Sequence, residues 1–280
     1  MAQRFTDEVA IVTGSSNGIG RATAILLASE GAKVTITGRN AERLEESRQA
    51  LLKVGVPSGH INSVVADVTT GAGQDVLIDS TLKKFGKINI LINNAGALIV
   101  DPEGKTNTST GVETCLKTFQ LNFQSVVEMT QKIRPHLANT HGEIVNVSSV
   151  GAGPAAENRF PYYSAAKAAL DQYSRNTAID LIPDGIRVNI VQPGFVATGF
   201  TTAASGMSPD ASAKMYEGIG ANTSCIPAGY CGRPEHLASV IAFLADRKAS
   251  EYIVGQTIIA DGGTTLVRGR NVALATRRAE

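Results

Sequence analysis

Apolar residues gather along the chain in short blocks separated by amphipathic stretches. Val9 to Val12 is such a block; a Gly-rich turn follows at once, and Ile19 to Glu30 then carries Ile25, Leu26, Leu27 and Ala28 as a buried helix would. The unit recurs: Lys33 to Thr37 predicts a strand, Ala41 to Val54 a helix, Ile61 to Ala66 a strand, Gln74 to Phe85 a helix and Ile88 to Asn93 a strand. A long helix is expected near Val112 to Arg134, stopped close to Pro135, then a strand at Glu143 to Val147, a helix at Tyr163 to Leu181 and a strand at Arg187 to Val191. After Pro193-Gly194 the pattern lapses for about thirty residues rich in Gly, Ser, Thr and Ala, which is long for a connection and marks a lid or binding loop. A helix from Pro234 to Leu244 and a strand at Gln256 to Ala260 close the series. Strands alternating with helices predict an α/β fold, a doubly wound seven-stranded parallel sheet with helices on both faces. No linker, repeat or composition break divides it. Residues 1–280 therefore read as one domain, with a loop or lid insertion over about 199–230 and a tail over 264–280.

Composition narrows the choice of partner. An apolar fraction of 43% is ample for a large core, while a net charge of +1 speaks against nucleic acid or an anionic membrane, which call for a marked basic excess. No apolar run reaches the ~18 residues of a membrane span, and Met1 to Glu8 is polar where a signal peptide needs its apolar core. The expectation is a soluble cytoplasmic protein whose partner is a small molecule. Cys115, Cys225 and Cys231 form no CxxC pair, and His60, His136, His141 and His236 are dispersed, so neither a disulfide framework, a metal site nor a His-based triad is expected.

Chemistry first appears where the first strand meets the first helix. Gly14, Ser15, Ser16, Asn17, Gly18, Ile19 and Gly20 form a turn in which glycines allow close backbone approach, and the helix N-terminus offers N–H groups to a pyrophosphate. The spacing is GxxxGxG rather than GxGxxG. At the end of the second strand an acid would bind a free ribose 2′-hydroxyl, yet the residues are Thr37-Gly38-Arg39-Asn40. Arg39 is suited to a 2′-phosphate, with Gly38 removing the usual carboxylate, so NADP(H) is expected and NAD(H) is the weaker alternative. A solvated surface arginine is the competing reading.

Tyr163 and Lys167 stand four residues apart, hence on one face of a helix. A cation beside the phenol is expected to lower its pKa and make it an acid/base group. Tyr162 is rotated about 140° from that face at ~100° per residue.

These residues resemble the short-chain dehydrogenase/reductase family. Thr13 to Gly20 is similar to its TGxxxGIG turn, Asp67-Val68 to its adenine-side acid, Asn93-Asn94-Ala95-Gly96 to its NNAG segment and Asn122 to its active-site Asn. Ser149 resembles its catalytic Ser, Tyr163 and Lys167 its YxxxK pair, and Pro193-Gly194 its PG turn, with Val196 and Thr198 following; Gly232 to Glu235 and Asp261 to Gly263 resemble its C-terminal landmarks. The resemblance implies a Rossmann-like sheet and hydride transfer between a nicotinamide cofactor and a carbonyl or alcohol. It assigns Ser149 to the substrate oxygen, Tyr163 to the proton, Lys167 to the ribose and to Tyr163, and Asn122 to a water linking Lys167 to solvent. Asp67, Val68, Asn94, Ala95, Gly96, Pro193, Gly194, Val196 and Thr198 join the glycine turn as cofactor contacts. The family also implies a homodimer or homotetramer.

Ser148 competes with Ser149, and strand alternation lets only one of them face the site. The interval from Ser149 to Tyr163, with Arg159, Phe160 and Pro161, is one residue longer than the family pattern. Substrate contacts are expected from the segment after Gly96, from Gly151 to Pro161 and from Phe195 to Tyr230, including Phe200, Met207, Met215, Tyr216 and Ile226. These favour a moderately lipophilic ketone or secondary alcohol, unless they pack a lid against the domain. Two other functions keep the same fold: a cofactor-retaining epimerase or dehydratase, and a non-catalytic nucleotide sensor.

Overall fold

The apolar blocks pair because they are short and the central ones are buried on both faces, the pattern of a parallel sheet covered by helices. A computed structural model describes residues 3–154, 160–200 and 206–267, with only the backbone at Asn107. Arg159 and the tail arginines Arg268, Arg270, Arg277 and Arg278 lie outside the described residues. The strands are β1 (Val9–Val12), β2 (Lys33–Gly38), β3 (Ile61–Val65), β4 (Ile90–Asn93), β5 (Glu143–Val147), β6 (Arg187–Pro193) and β7 (Thr257–Ala260). They form one seven-stranded sheet in the order β3-β2-β1-β4-β5-β6-β7, parallel throughout. The chain leaves β1 towards β2 and β3, then crosses back to β4. The β1/β4 boundary is thus a topological switch point, where ligands bind outside the carboxyl ends of strands.

Alternation along the strands feeds two core layers. Ala10, Val12, Ile90, Ile92, Val145 and Val147 pack with Leu27 of α1 (Gly18–Ser29), Leu44 and Leu51 of α2 (Ala41–Lys53), and with Ile241 and Leu244. Ile11, Leu91, Ile144 and Val188 face the other way, onto Leu77 and Ile78 of α3 (Gly71–Phe85) and onto Met129 and Ile133. No helix among the described residues is long and apolar enough to cross a membrane.

The expected long helix is interrupted. It consists of α4 (Val112–Phe119), a five-residue π-helical turn (Gln120–Gln124) and α5 (Ser125–Ala138). Pro135 lies inside α5 rather than ending it. Its missing N–H falls in the last turn, where a single i→i−4 bond is lost and its fixed φ still suits the helix. The α3 helix starts three residues earlier than periodicity indicated, because the Thr70 hydroxyl caps it by accepting from Gly73 N–H (3.1 Å).

After α6 (Pro161–Leu181), the stretch read as a patternless loop holds a thirteen-residue helix, α7 (Pro209–Ala221). Ser208 at its N-cap, Pro209 at N1 and Asp210 in the first turn form a start signal that its weak apolar period obscured. The helix α8 (Pro234–Ala245) follows. At the sheet edge away from the strands' carboxyl ends, Glu143 opens β5 and Arg187, only 1% exposed, opens β6. The Arg187 guanidinium meets Glu143 at 2.8 Å and Arg247 meets it at 2.7 Å.

Candidate active site

Thr13 joins the glycine turn to the end of β4. Its hydroxyl accepts from the N–H groups of Asn94 (2.9 Å) and Ala95 (3.0 Å) and donates to the Ile92 carbonyl (3.2 Å). The Asn94 amide returns the link, donating to the carbonyls of Thr13 (2.9 Å) and Gly14 (3.1 Å). The two segments are so close that a Cβ on Gly14, which sits at φ +62°, would lie 2.8 Å from Ala95 Cα. Ser15 ties the turn to β2, its hydroxyl donating to Val12 C=O (2.8 Å) and accepting from Thr37 N–H (2.8 Å).

The α1 helix that follows presents its free amides to this crevice. Its first intrahelical bond runs from Arg21 N–H to Asn17 C=O (3.1 Å), no described side chain caps it, and no acid stands in its first turn. Such an end fits an anionic diphosphate. Thr198 closes over it, since a Cβ on Gly18 would meet Thr198 Cγ2 at 3.2 Å.

Beyond β3 the Asp67 carboxylate is engaged locally, accepting from Thr69 N–H (2.9 Å) and Thr69 hydroxyl (2.7 Å). Burial pushes its carboxyl up, but these bonds and the nearby Arg39 charge outweigh it and hold the group below the ordinary range. Arg39 therefore stands near Asp67, at an exposed position. Gly38 has a steric role besides lacking charge, because a Cβ there would lie 3.0 Å from Ser16 Cβ. The Val68 carbonyl accepts from the Gln74 amide (2.8 Å), which anchors this corner to α3.

The catalytic candidates converge at the carboxyl ends of β4 and β5. Asn122 sits on the π-helical turn, fully buried, donating to the carbonyls of Ala97 (3.0 Å) and Thr118 (3.0 Å) and accepting from Ala97 N–H (3.2 Å). The extra residue in this turn offsets Asn122 from the regular helix and aims it at β4. A Cβ on Gly96 would meet both Asn122 Oδ1 (2.8 Å) and Lys167 Nζ (3.3 Å), so the three converge closely. Lys167 donates to the Val147 carbonyl (2.9 Å) and lies 5.9 Å from the centre of the Tyr163 ring. Ser149 hydrogen-bonds to Tyr163 and accepts from Gly151 N–H (3.1 Å).

Both rivalries left open by the chain are separated by geometry. Tyr162 turns away and donates to the Thr110 carbonyl (2.9 Å). Ser148 is buried beneath the site, its hydroxyl at 3.4 Å from the Lys167 carbonyl.

The expected lowering of the Tyr163 phenol is not what this arrangement produces. Burial pushes it up to about 12, opposed by the bond from Ser149. Lys167 approaches the ring rather than donating to the hydroxyl, and its own ammonium is lowered to about 8 by burial, opposed by Asp171. Desolvation thus sets the direction for both groups.

The PG turn is a close crossing. Gly194 N–H donates to Ala260 C=O (3.1 Å), and a Cβ there would sit 2.7 Å from Asp261 Cα. Val196 bridges to Gly232. Phe200 meets the Tyr163 ring edge to face at 5.9 Å and walls the site. Tyr216 and Ile226 are buried, and Ile226 packs on Gly262, which follows β7. Residues 201–205 of the expected lid lie outside the described residues.

Sequence reading missed the polar chain behind the site. Asn93 donates to Asn146 (2.9 Å), Asn146 to Ser174 (2.8 Å) and Ser174 to Leu170 C=O (2.6 Å). Asn93 thus braces β4, β5 and α6. A polar residue at the buried end of a strand was the available signal, but its partners lie 53 and 81 positions away from Asn93.

Comparison with known proteins agrees with this geometry. The sequence profile of the family described as Enoyl-(Acyl carrier protein) reductase matches residues 14–265. A solved short-chain dehydrogenase/reductase of unknown function from Caenorhabditis elegans, with cofactor, is 60% identical, with a TM-score of 0.93 over 96% of this chain and 98% of that one. A glucose dehydrogenase structure from the same organism is 54% identical, with a TM-score of 0.81 over 94% and 99%. A cis-4-hydroxycyclohexanecarboxylate dehydrogenase of Sinomonas cyclohexanicum is 34% identical over 95% of this chain and its own full length. With the switch-point crevice, the glycine turn and the converging Ser, Tyr, Lys and Asn, these similarities show that the chain belongs to the short-chain dehydrogenase/reductases, NAD(P)(H)-using oxidoreductases of alcohol and carbonyl groups.

Proposed function

We propose that this protein transfers a hydride between NADP(H) and a ketone or secondary alcohol, with Tyr163 as its acid/base group. The observation that carries the reading is the convergence of Ser149, Tyr163, Lys167 and Asn122 beside Gly96, at the open end of the switch point. When bound, the dinucleotide supplies or accepts the hydride. The amides of the α1 N-terminus would hold its diphosphate, and Ala95, Gly96, Val196 and Thr198 would line its path; Pro193 and Gly194 would shape the nicotinamide end. Ser149 donates to the substrate oxygen as charge develops there, and Tyr163 delivers a proton to that oxygen in reduction or removes it in oxidation. Lys167 stabilises the phenolate left on Tyr163, and Asn122 positions a water through which Lys167 exchanges protons with solvent.

NADP(H) is the preferred cofactor in this reading, because Arg39 brings the cation to the end of β2 and no acid precedes it. Ile99, Val100 and Phe160 line the pocket beside Tyr163 together with Asp101 and several threonines, and Phe200 packs on the Tyr163 ring, a mixed lining in which we propose that a moderately lipophilic ketone or alcohol binds, with the segment after Phe195 serving as its lid. We also propose a cytoplasmic homodimer or homotetramer; the exposed apolar residues Val112 and Leu116 on α4 and Ile179 on α6 are available for contact with a second copy. The test is NADPH consumption against a panel of aliphatic, cyclic and steroid ketones, with sedimentation for assembly. No turnover of either dinucleotide with any carbonyl or alcohol would refute the reaction, and a monomer at micromolar concentration would refute the assembly.

A further inference from the structure

Below the Tyr163 and Lys167 pair lies a charged group that this reading leaves unused. Asp171 is one helical turn beyond Lys167 on α6, so their side chains share a face with Cβ atoms about 5–6 Å apart. Both are enclosed, Asp171 at 5% and Lys167 at 3% exposure. The Gln192 amide of β6 donates to Asp171 Oδ2, the Ser148 hydroxyl after β5 lies near the carboxylate, and Asp171 Oδ1 is buried with no hydrogen-bond partner among the described residues.

The remaining surroundings are neutral or spoken for. Val147 presents a carbonyl to Lys167, and the π-helical turn presents Asn122. On α6 itself the titratable neighbours are Tyr163 and Arg175, the latter bonded to the Gln172 carbonyl oxygen of its side chain at 2.8 Å. Glu113 and Lys117 of α4 pair with each other at 2.7 Å on its exposed side, and Glu143 and Arg187 pair at the opposite ends of β5 and β6. Among the described residues Asp171 is therefore the carboxylate that acts on Lys167.

An enclosed ammonium sheds its proton unless a counter-charge stands near it. We propose that Asp171 is a positioning residue, the counter-ion that keeps Lys167 an ammonium beneath Tyr163, and that Gln192 and Ser148 hold its carboxylate in place for this purpose. The inference deepens the catalytic reading given above and rests on it for its consequence in turnover. Burial lowers Lys167, and the Asp171 charge is what opposes that fall. Burial raises the Asp171 carboxyl, and the O–H and N–H donors of Ser148 and Gln192, with the Arg175 and Lys167 charges, oppose that rise.

The test measures Lys167 directly. Its 13Cε resonance, assigned by its loss in Lys167→Arg, is followed through neutral and alkaline pH in the full-length chain, for wild type, Asp171→Asn and Asp171→Glu. Two unit charges about 6–8 Å apart, beyond ion-pair contact, couple at an effective dielectric of ~20 by about 1.5–2 pH units, so Asp171→Asn should lower the Lys167 midpoint by about 1–2 units and Asp171→Glu should restore most of it. The alkaline limb of kcat for NADPH-driven carbonyl reduction should move down by the same amount, with substrate KM little changed. An unmoved Lys167 midpoint in a folded Asp171→Asn chain overturns the proposal. Should that variant fail to fold, the wild-type Asp171 13Cγ resonance decides: it must record the Lys167 titration step, and a flat response there also overturns it. A shifted midpoint with an unchanged pH–rate profile upholds the counter-ion and refutes instead the catalytic part given to Lys167.

Discussion

Replacing Thr13 by Val keeps a β-branched residue of nearly equal volume at the end of β1 and removes one oxygen. That oxygen accepts from two backbone N–H groups, at 2.9 and 3.0 Å, and donates to Ile92 C=O. Asn94 N–H keeps a second acceptor in Ile92 C=O (3.1 Å), so Ala95 N–H is the donor left without its partner, at a cost of about 1–3 kcal/mol. In a chain of this size each kcal/mol moves the melting midpoint by about 2–4 °C, which gives a fall of about 2–12 °C. The same bonds fix how closely Gly14 and Ala95 approach beside the crevice the dinucleotide would occupy, so its affinity should drop about tenfold, or ~1.4 kcal/mol. Thermal melts by circular dichroism and NADPH fluorescence titrations on wild type, Thr13→Val and Thr13→Ser measure both. The serine variant keeps the hydroxyl and should stay within ~1 kcal/mol of wild type. If Thr13→Val melts with the wild type, or Thr13→Ser falls as far as Thr13→Val, then the hydroxyl is not the joint described here.

Tyr163→Phe should abolish most turnover in the NADPH assay while cofactor binding persists, since the ring keeps its packing on Phe200; Tyr162→Phe, which loses only its bond to Thr110 C=O, should remain active. If Arg39 pairs with a 2′-phosphate, Arg39→Ala should cost about 1–3 kcal/mol of NADPH preference, roughly 5- to 150-fold in relative kcat/KM. Gly38→Asp should weaken binding of both dinucleotides as well as shift the ratio, because its Cβ meets Ser16; a clean reversal without loss would contradict that crowding. Glu143→Leu strips the buried Arg187 of its acid and should destabilise the chain by about 3–5 kcal/mol in urea unfolding, and a neutral result would show that carbonyls alone satisfy Arg187.

Local rules were enough to read the sheet, because strand and helix periods are written in consecutive residues. Val9 to Val12 and Glu143 to Val147 carry their burial in their own composition, and the strand-turn-helix position of Gly14 to Gly20 fixes which end of the sheet faces the cofactor. The pairing of Tyr163 with Lys167 is equally local, one helical turn. What the chain alone left open depends on partners distant in sequence. Strand alternation says that only one of Ser148 and Ser149 faces the site, and the hydrogen bond to Tyr163 falls on Ser149; helix spacing alone already sets Tyr162 off the Lys167 face, and its bond to Thr110 C=O agrees. The phenol's pKa was misjudged because spacing reports the neighbouring charge and not the desolvation that encloses both groups. The helix within 199–230 escapes the apolar pattern for a related reason, since it buries Ser212, Tyr216 and Gly220, a face with one large apolar residue. Backbone period and turn chemistry are properties of neighbours in the chain, whereas protonation, hydrogen-bond partners and the choice between adjacent side chains belong to whatever the folded sheet brings against them.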